Sequence, residues 1–416
     1  MTLTHLPGTD MLNLDALCPA FTDDPYPLLA ELREVAPVRR VELLGMPMWL
    51  VTRHEDVRAL FGSPALSCDA RHASDEAGAQ PYVQGVHGSP LSRHMLAAEA
   101  PDHSRLRRVV SREFTPRRVE ALRPRVQQIT DALLASFAGR GSADLIEDFA
   151  APLPITIIME LLGVPLADQG DFRHWVDVFT GVELGDHDRI PEMNAKAGAY
   201  LTDLVARLRG QRPDESDGSL LAALAQVPAD QERLDDGELA SLAYLLLIAG
   251  YTTTVDLIGN GMLALLRNPD QLAALRADPL LLPGAIEEFL RYDGPVSGAM
   301  LRFAVEDLKV GGAVIPAGDM VLLSVASADR DPAKFDRPDV LDVSRTDRGH
   351  LAFGYGIHYC IGAPLARLEG AVALRALLDT FPDMALDPAA ELHWRVSMSI
   401  RGLRRLPVTF TPSIPS

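Results

Sequence analysis

Only three of the 416 residues are cysteine, at positions 18, 68 and 360, and none stands in C-x-x-C spacing. That excludes a disulfide framework and fits a reducing cytosol. Positive charge is also scarce: 39 Lys and Arg face 57 Asp and Glu, for a net charge of −18. Such a balance argues against nucleic acid and anionic membranes as partners. The longest apolar run, Leu239 to Tyr251, contains Ser241 and ends in threonines. It falls short of the roughly 18 residues of a spanning segment and reads as a buried core helix. The polar, acidic stretch before Pro25 has neither a charged n-region nor an apolar h-region, so the expectation is a cytoplasmic protein without signal peptide or anchor. Repeats, low-complexity tracts and linkers are missing too. With 47% hydrophobic residues, the chain reads as one domain over 1–416.

Several catalytic signatures are absent as well. Tyr359 stands where a dinucleotide fingerprint after Gly354-x-Gly356 needs glycine. His54-Glu55 lacks the second histidine of a zinc helix, and no G-x-S-x-G elbow occurs.

What is present is the stretch FGYGIHYCIGAP at 353–364. Gly354, Gly356 and Gly362 carry no Cβ, so the backbone is free to take φ > 0 and lie against a planar ligand. Pro364 suits the first turn of a helix, and LARLEGAVALRALLDTF continues it with apolar residues at helical spacing. Cys360 therefore precedes a helix N-terminus, where backbone N–H groups and the dipole favour a thiolate. It is a candidate haem ligand; the plainer reading of a lone cysteine is a buried structural thiol.

The remaining pattern is helix-rich. VRRVELL and MWLVTR flank Gly45-Met46-Pro47 as a hairpin. Residues 71–100 form a connection too long to be inert. Apolar periodicity makes Asp102 to about Leu208 mostly helical, and 210–219 an exposed polar loop. A long helix runs from a cap at Asp235 or Asp236 to Asn268, where Pro269 stops it. Short strands with Gly-Gly and Pro-Ala-Gly turns follow at 301–325. In HSRLRRVVSREFTPRR, Arg105, Arg107, Arg108, Arg112, Arg117 and Arg118 form a basic stripe; the plain alternative is a solvated helix face.

Phe353, Gly354, Gly356, His358, Cys360 and Gly362 together spell F-G-x-G-x-H-x-C-x-G. In this the chain resembles the haem-thiolate monooxygenases of the cytochrome P-450 superfamily, and the likeness extends from PLPITIIMELLGVP at 152 to RGLRRLPV at 401. The resemblance implies a mainly α fold with small peripheral β-sheets, haem b lying between the long helix and the cysteine-loop helix, and Cys360 as metal ligand. It assigns His103, Arg107, Arg302 and His358 to the haem propionates, with Phe353, Gly354 and Ala249 also against the cofactor. Glu288 and Arg291 fill its structural E-x-x-R pair. In its oxygen-activation motif, A-G-x-acid-T, Ala249, Gly250 and Thr253 match, and Thr253 would hydrogen-bond the bound oxygen. The acid position holds Thr252 instead, leaving the proton to ordered water, a substrate hydroxyl or Asp256; alternatively Thr252 merely packs.

The implied activity is a monooxygenase that hydroxylates or epoxidises a bulky lipophilic small molecule: a secondary-metabolite intermediate such as a polyketide, macrolide or peptide, as in antibiotic biosynthesis. Pocket segments would be 71–100, Val178-Phe179, Ala249-Gly250, Val296 to Ala299 and Ser397-Met398. Without a reductase domain, electrons would come from a ferredoxin and an NAD(P)H-dependent ferredoxin reductase docking at the arginine stripe, on a monomer. A peroxide-driven haem-thiolate peroxygenase and a non-catalytic haem protein are the alternatives.

Overall fold

The computed structural model describes residues 11–15, 20–80, 82–84, 88–180, 190–212, 218–228 and 232–412. Cys18, Val178 and Phe179 lie outside the described residues or side chains. Among the described residues helices predominate and three small sheets sit at the periphery.

The helix Asp236–Arg267 organises the molecule. Asp235 caps it: its carboxylate accepts from Glu238 N at 2.8 Å while the Glu238 side chain accepts from Asp235 N at 3.0 Å, a capping box. Asn268 ends it before Pro269 opens the next helix, Pro269–Ala277. At 1.5 Å per residue it spans about 48 Å. An 18-residue window reaches a mean hydropathy of 1.5, enough for a membrane span by composition, which corrects the shorter apolar run read from the sequence. Yet 78% of that window is buried inside the protein, so its apolarity serves the core.

Burial on all sides needs close neighbours, and glycine admits them. A Cβ on Gly250 would meet Ile158 Cδ1 at 2.8 Å, and one on Gly261 would meet Phe289 Cδ2 at 3.2 Å. The helices Pro152–Leu162 and Leu282–Asp293 thus approach the central helix where it has no side chain, and the cysteine-side helix Ala363–Thr380 packs alongside them.

The largest sheet has six strands in the order Leu12–Asn13, Val38–Leu43, Met46–Val51, Met320–Leu323, Arg302–Ala304 and Leu66–Ser67. The expected hairpin is there, with a different turn. Leu43 pairs with Met46, so the turn is Leu44-Gly45, and Met46 and Pro47 belong to the strand. Both turn residues have positive φ, 53° and 71°, as a two-residue hairpin loop requires. Asp15 holds them, accepting from Leu44 N at 2.6 Å and Gly45 N at 2.7 Å. The expected 301–325 hairpin turns at Gly311-Gly312, with Val310 paired to Ala313. Among the described residues most of the span from Asp102 to Leu208 is helical, as expected, and its strand Ser142–Asp144 joins Pro407–Thr409 and Ala385–Leu386 in a three-stranded sheet.

The two ends of the chain are stitched together. Arg401 donates to Thr22 O at 2.8 Å, to Asp23 O at 3.0 Å and to Asp293 at 2.7 Å, and Tyr26 OH donates to the same carboxylate at 2.6 Å. The Arg401 guanidinium lies 3.6 Å over the Trp394 ring, and Arg330 sits between Tyr26 and Tyr292.

Candidate active site

The loop before the cysteine-side helix is a fixed turn. Gly354 N donates to Leu351 O at 2.8 Å and Cys360 N to Phe353 O at 2.9 Å. Gly354 and Gly356 take φ of 71° and 78°; a Cβ at Gly356 would also press on Phe61 O at 3.1 Å. Gly362 does not use this freedom, being the helix N-cap with φ −80°. The ring of Phe353 lies 4.5 Å beneath the Arg367 guanidinium.

The Cys360 thiol departs from expectation. Burial pushes its pKa up, against the backbone N–H groups of Gly362 and Ala363 and the charges of Arg107 and Arg367, which favour the thiolate. The helix terminus and the arginines therefore do not win on their own. A metal ion reverses that balance, since a coordinating thiol is deprotonated outright.

Cys360 faces a cavity of about 380 Å³. On the wall formed by the central helix stand Ala249, Gly250, Thr252 and Thr253; the other candidates, Phe353, Gly354, His358, His103, Arg107 and Arg302, line the same space. Both ring nitrogens of the buried His103 and the Nε of the buried Arg302 lack hydrogen-bond partners within the protein. Buried orphan donors and cations converging on one cavity call for an anionic ligand, and the two propionates of haem meet that need. The two histidine rings lie 4.6 Å apart and are tuned oppositely. Burial and the charges of His358 and Arg107 push His103 down to about 4. Burial would also depress His358, but Cys68 and Glu99 overcome it and raise the ring to about 9; Glu99 lies 3.4 Å from its Nε2. Sequence reasoning missed Cys68 and Glu99, which share no spacing with His358.

Opposite the cysteine, the central helix continues unbroken through the glycine. Thr253 Oγ1 donates to Ala249 O at 2.7 Å and Thr254 Oγ1 to Gly250 O at 3.3 Å, extra bonds of the kind that loosen a helix locally. Asp256 is fully buried, but its carboxylate is held by Arg395 and it does not line the cavity. The substrate side is apolar: Met46, Met95, Leu245, Val296, Ala299 and Met398 face it, with Tyr82, Ser397 and Ser399 among the few polar groups. Segments 71–100, 249–250, 296–299 and 397–398 thus all reach the cavity.

Glu288 and Arg291 are buried and paired at 2.7 Å. Arg345, which no local spacing marks, joins Glu288 at 3.0 Å. Arg291 also donates to the carbonyls of Asp329 at 3.0 Å and Pro338 at 2.7 Å, tying this helix to the segment before the cysteine loop.

The arginine stripe does not survive as one surface. Arg105 is paired with Glu238, Arg108 with Glu232 at 3.1 Å and Arg118 with Glu113, and Arg107 lines the cavity. Among the described residues Arg112 and Arg117 are the two of the six with neither an acidic partner nor a place on the cavity wall. An acidic chain supplies local counter-charges for most of its exposed cations.

A thiol-bearing loop at the head of one helix thus faces a central helix with hydroxyls across a cavity lined by Arg107 and Arg302. A profile of the Cytochrome P450 family matches residues 155–388. The chain is 48% identical over 403 residues to the cytochrome P450 monooxygenase PikC of Streptomyces venezuelae, covering 96% of this chain and 94% of that protein. It is 40% identical to the mycinamicin IV hydroxylase/epoxidase of Micromonospora griseorubida, covering 91% and 94%. The tirandamycin C-bound monooxygenase TamI superposes with a TM-score of 0.85 at 43% identity, covering 94% of this chain and 98% of that one. The chain belongs to the cytochrome P450 family. It is a monooxygenase whose cofactor is haem b, which the family binds through a cysteine thiolate.

Proposed function

We propose that this single-domain, monomeric, cytoplasmic P450 hydroxylates or epoxidises a bulky lipophilic secondary metabolite of the polyketide, macrolide or peptide class, with electrons from a ferredoxin and an NAD(P)H-dependent ferredoxin reductase. The observation that carries this reading is the cavity itself, with a cysteine on one wall, threonine hydroxyls on the other and apolar side chains beyond. The likeness to a mycinamicin IV hydroxylase/epoxidase and to a tirandamycin C-bound monooxygenase supports the substrate class.

In this reading Cys360 would ligate the haem iron, His103, Arg107, Arg302 and His358 would hold the propionates, and Phe353, Gly354 and Ala249 would lie against the cofactor, which would supply the activation of dioxygen. Thr253 presents a hydroxyl to the cavity, and Gly250 and the back-bonded threonines shape the groove beside it. Thr252 contributes no charge. The apolar wall excludes water and orients the substrate through shape. Around the cysteine loop, Tyr355, Ile357 and Tyr359 are 42%, 48% and 40% exposed. Arg58 stacks on Tyr355 at 4.3 Å, and the helix carrying Arg117 packs on the cysteine-side helix. That apolar patch with a basic rim supports docking of an acidic ferredoxin there rather than on a six-arginine stripe.

The test is the carbon monoxide difference spectrum of the reduced protein and of Cys360→Ser, followed by titration with mycinamicin IV and tirandamycin C. A thiolate-type Soret band lost in the variant, with a low-to-high-spin shift on at least one of the two compounds, is expected. A histidine-type band overturns the reading. Turnover with hydrogen peroxide but none with ferredoxin and dioxygen would select the peroxygenase.

A further inference from the structure

We propose that Cys68, Glu99 and His358 form a binding site for a thiophilic divalent cation, with zinc as the fitting ion, and that the bound cation clips both ends of the 71–100 connection to the cysteine loop.

Each ligand comes from a different, fixed element. Cys68 follows the strand Leu66–Ser67, which pairs with Phe303 and Ala304, and is 1% exposed. Glu99 stands at the far end of the connection, where its carbonyl accepts from His103 N at 2.9 Å at the start of the helix Asp102–Ser111. His358 closes the short turn Gly356–His358 ahead of Cys360. One sulfur, one carboxylate oxygen and one imidazole nitrogen of the three lie within 4.8 Å of one another. Bonds of about 2.3 Å to sulfur and about 2.0 Å to nitrogen or oxygen put neighbouring ligands of a tetrahedral ion roughly 3.5 Å apart, so small side-chain rotations close the set.

The donors are already oriented. Glu99 Oε1 accepts from Cys68 N at 2.8 Å, which fixes the carboxylate beside the cysteine. Oε2 of the same carboxylate lies 3.4 Å from Nε2 of His358, whose side chain is 5% exposed, and that nitrogen has no well-formed hydrogen bond. A buried nitrogen left in this state beside a thiol and a carboxylate calls for a shared partner, and a cation is one that all three accept. Thiolate and imidazole ligands select zinc over magnesium or calcium, which take oxygen. Two negative ligands offset the divalent charge in the presence of Arg302, whose charge both Glu99 and His358 feel. Coordination at Nε2 leaves Nδ1–H for a carboxylate, the outer partner that metal-bound histidines take, so His358 would keep its place toward a propionate. The Glu99 side chain, 28% exposed, gives the ion an entry from solvent. Binding releases the thiol proton to water and moves no electrons. Tyr82, Met95 and Leu96 of the connection line the cavity, so pinning both of its ends stiffens the substrate wall.

Zinc alone is the probe, added to the haem-loaded full chain. Zinc-edge X-ray absorption, in which haem iron is silent, should show one sulfur at about 2.3 Å with nitrogen or oxygen at about 2.0 Å. Calorimetry should count one ion per chain while the Soret band stays unmoved. Cys68→Ala should remove the sulfur and weaken binding by more than the ~10–100-fold that loss of an outer-shell partner costs. Glu99→Gln, which keeps an acceptor for Cys68 N, should weaken binding about tenfold or more. Zinc should also slow amide hydrogen exchange across 71–100 in the unmutated protein but not in Cys68→Ala. No zinc–sulfur distance in the unmutated protein, the same distance kept in Cys68→Ala, or exchange across 71–100 indifferent to zinc overturns the proposal. Loss of the Soret band as zinc binds does so too, because the sulfur is then that of Cys360. Should Cys68→Ala not fold, Cys18→Ala decides: a retained zinc–sulfur distance supports the site, and its loss overturns it.

Discussion

At the scale of single residues, the buried ion pairs behind the cysteine loop have the largest expected effects. Arg291 serves Glu288 and three backbone carbonyls from a position with its side chain 1% exposed. Removing it leaves Glu288 with Arg345 as its one guanidinium and the carbonyls without their donor, and breaking a buried pair costs about 3–5 kcal/mol. Arg291→Ala should therefore lower unfolding stability by that amount in urea titrations; Arg345→Ala should cost less, because Arg291 still pairs with Glu288. The neighbouring Glu287 makes a separate prediction. Burial would raise its carboxyl, but hydrogen bonds from Arg367 and His350 overcome that and hold it at about 2, below the ordinary 4.5. A carboxyl depressed on folding contributes stability in full above its unfolded value and loses it as pH falls. Stability should thus drop between pH 4.5 and about 2 through Glu287. Glu287→Gln should be less stable at neutral pH and show a flatter acid limb in pH-dependent unfolding curves. The sequence shows the Glu288 and Arg291 pair because they are three apart on one helix. It hides Arg345 and the Glu99 and Cys68 partners of His358, since tertiary neighbours leave no local period.

Among the elements, the central helix was legible almost in full: its Asp cap, its Pro269 stop and its burial follow from local signals. The hairpin was legible as a pair but not in its turn. A leucine at positive φ is stabilised by Asp15, a residue on a different segment, and propensity alone points elsewhere. The proposed function of Thr253 is testable here. Thr253→Ala should leave the carbon monoxide spectrum intact while diverting reducing equivalents to peroxide; an unchanged product-to-peroxide ratio would remove the hydroxyl from the mechanism. Thr252→Asp, which restores an acid, should raise rate and coupling. Gly250→Val should disturb packing more than Gly250→Ala, because the single Cβ meets only the flexible tip of Ile158. Thermal unfolding of both variants measures that difference.

For the whole molecule, net charge misled in one respect. Six arginines close in sequence read as a docking stripe, but acidic residues neutralise three, Glu238 and Glu232 from far along the chain and Glu113 from within the segment, and the cavity takes a fourth. If the remaining pair guides ferredoxin, Arg112→Glu and Arg117→Glu should slow reduction at low salt, and the deficit should shrink as ionic strength rises. Stopped-flow reduction kinetics over a salt series would show it. Equal rates at every salt concentration would remove these residues from the docking face. The stitch between Arg401 and residues 22–23 has a consequence for how the protein is made. The cavity draws on residues from 44 to 400, and its ends are tied by bonds that bridge 379 positions. A ribosome extending the chain at about 5–20 residues per second will have exposed Cys360 before the segment that seals the cavity emerges. Cofactor capture is then a late event of biosynthesis, and nascent chains stalled ahead of residue 395 should emerge without tightly held haem.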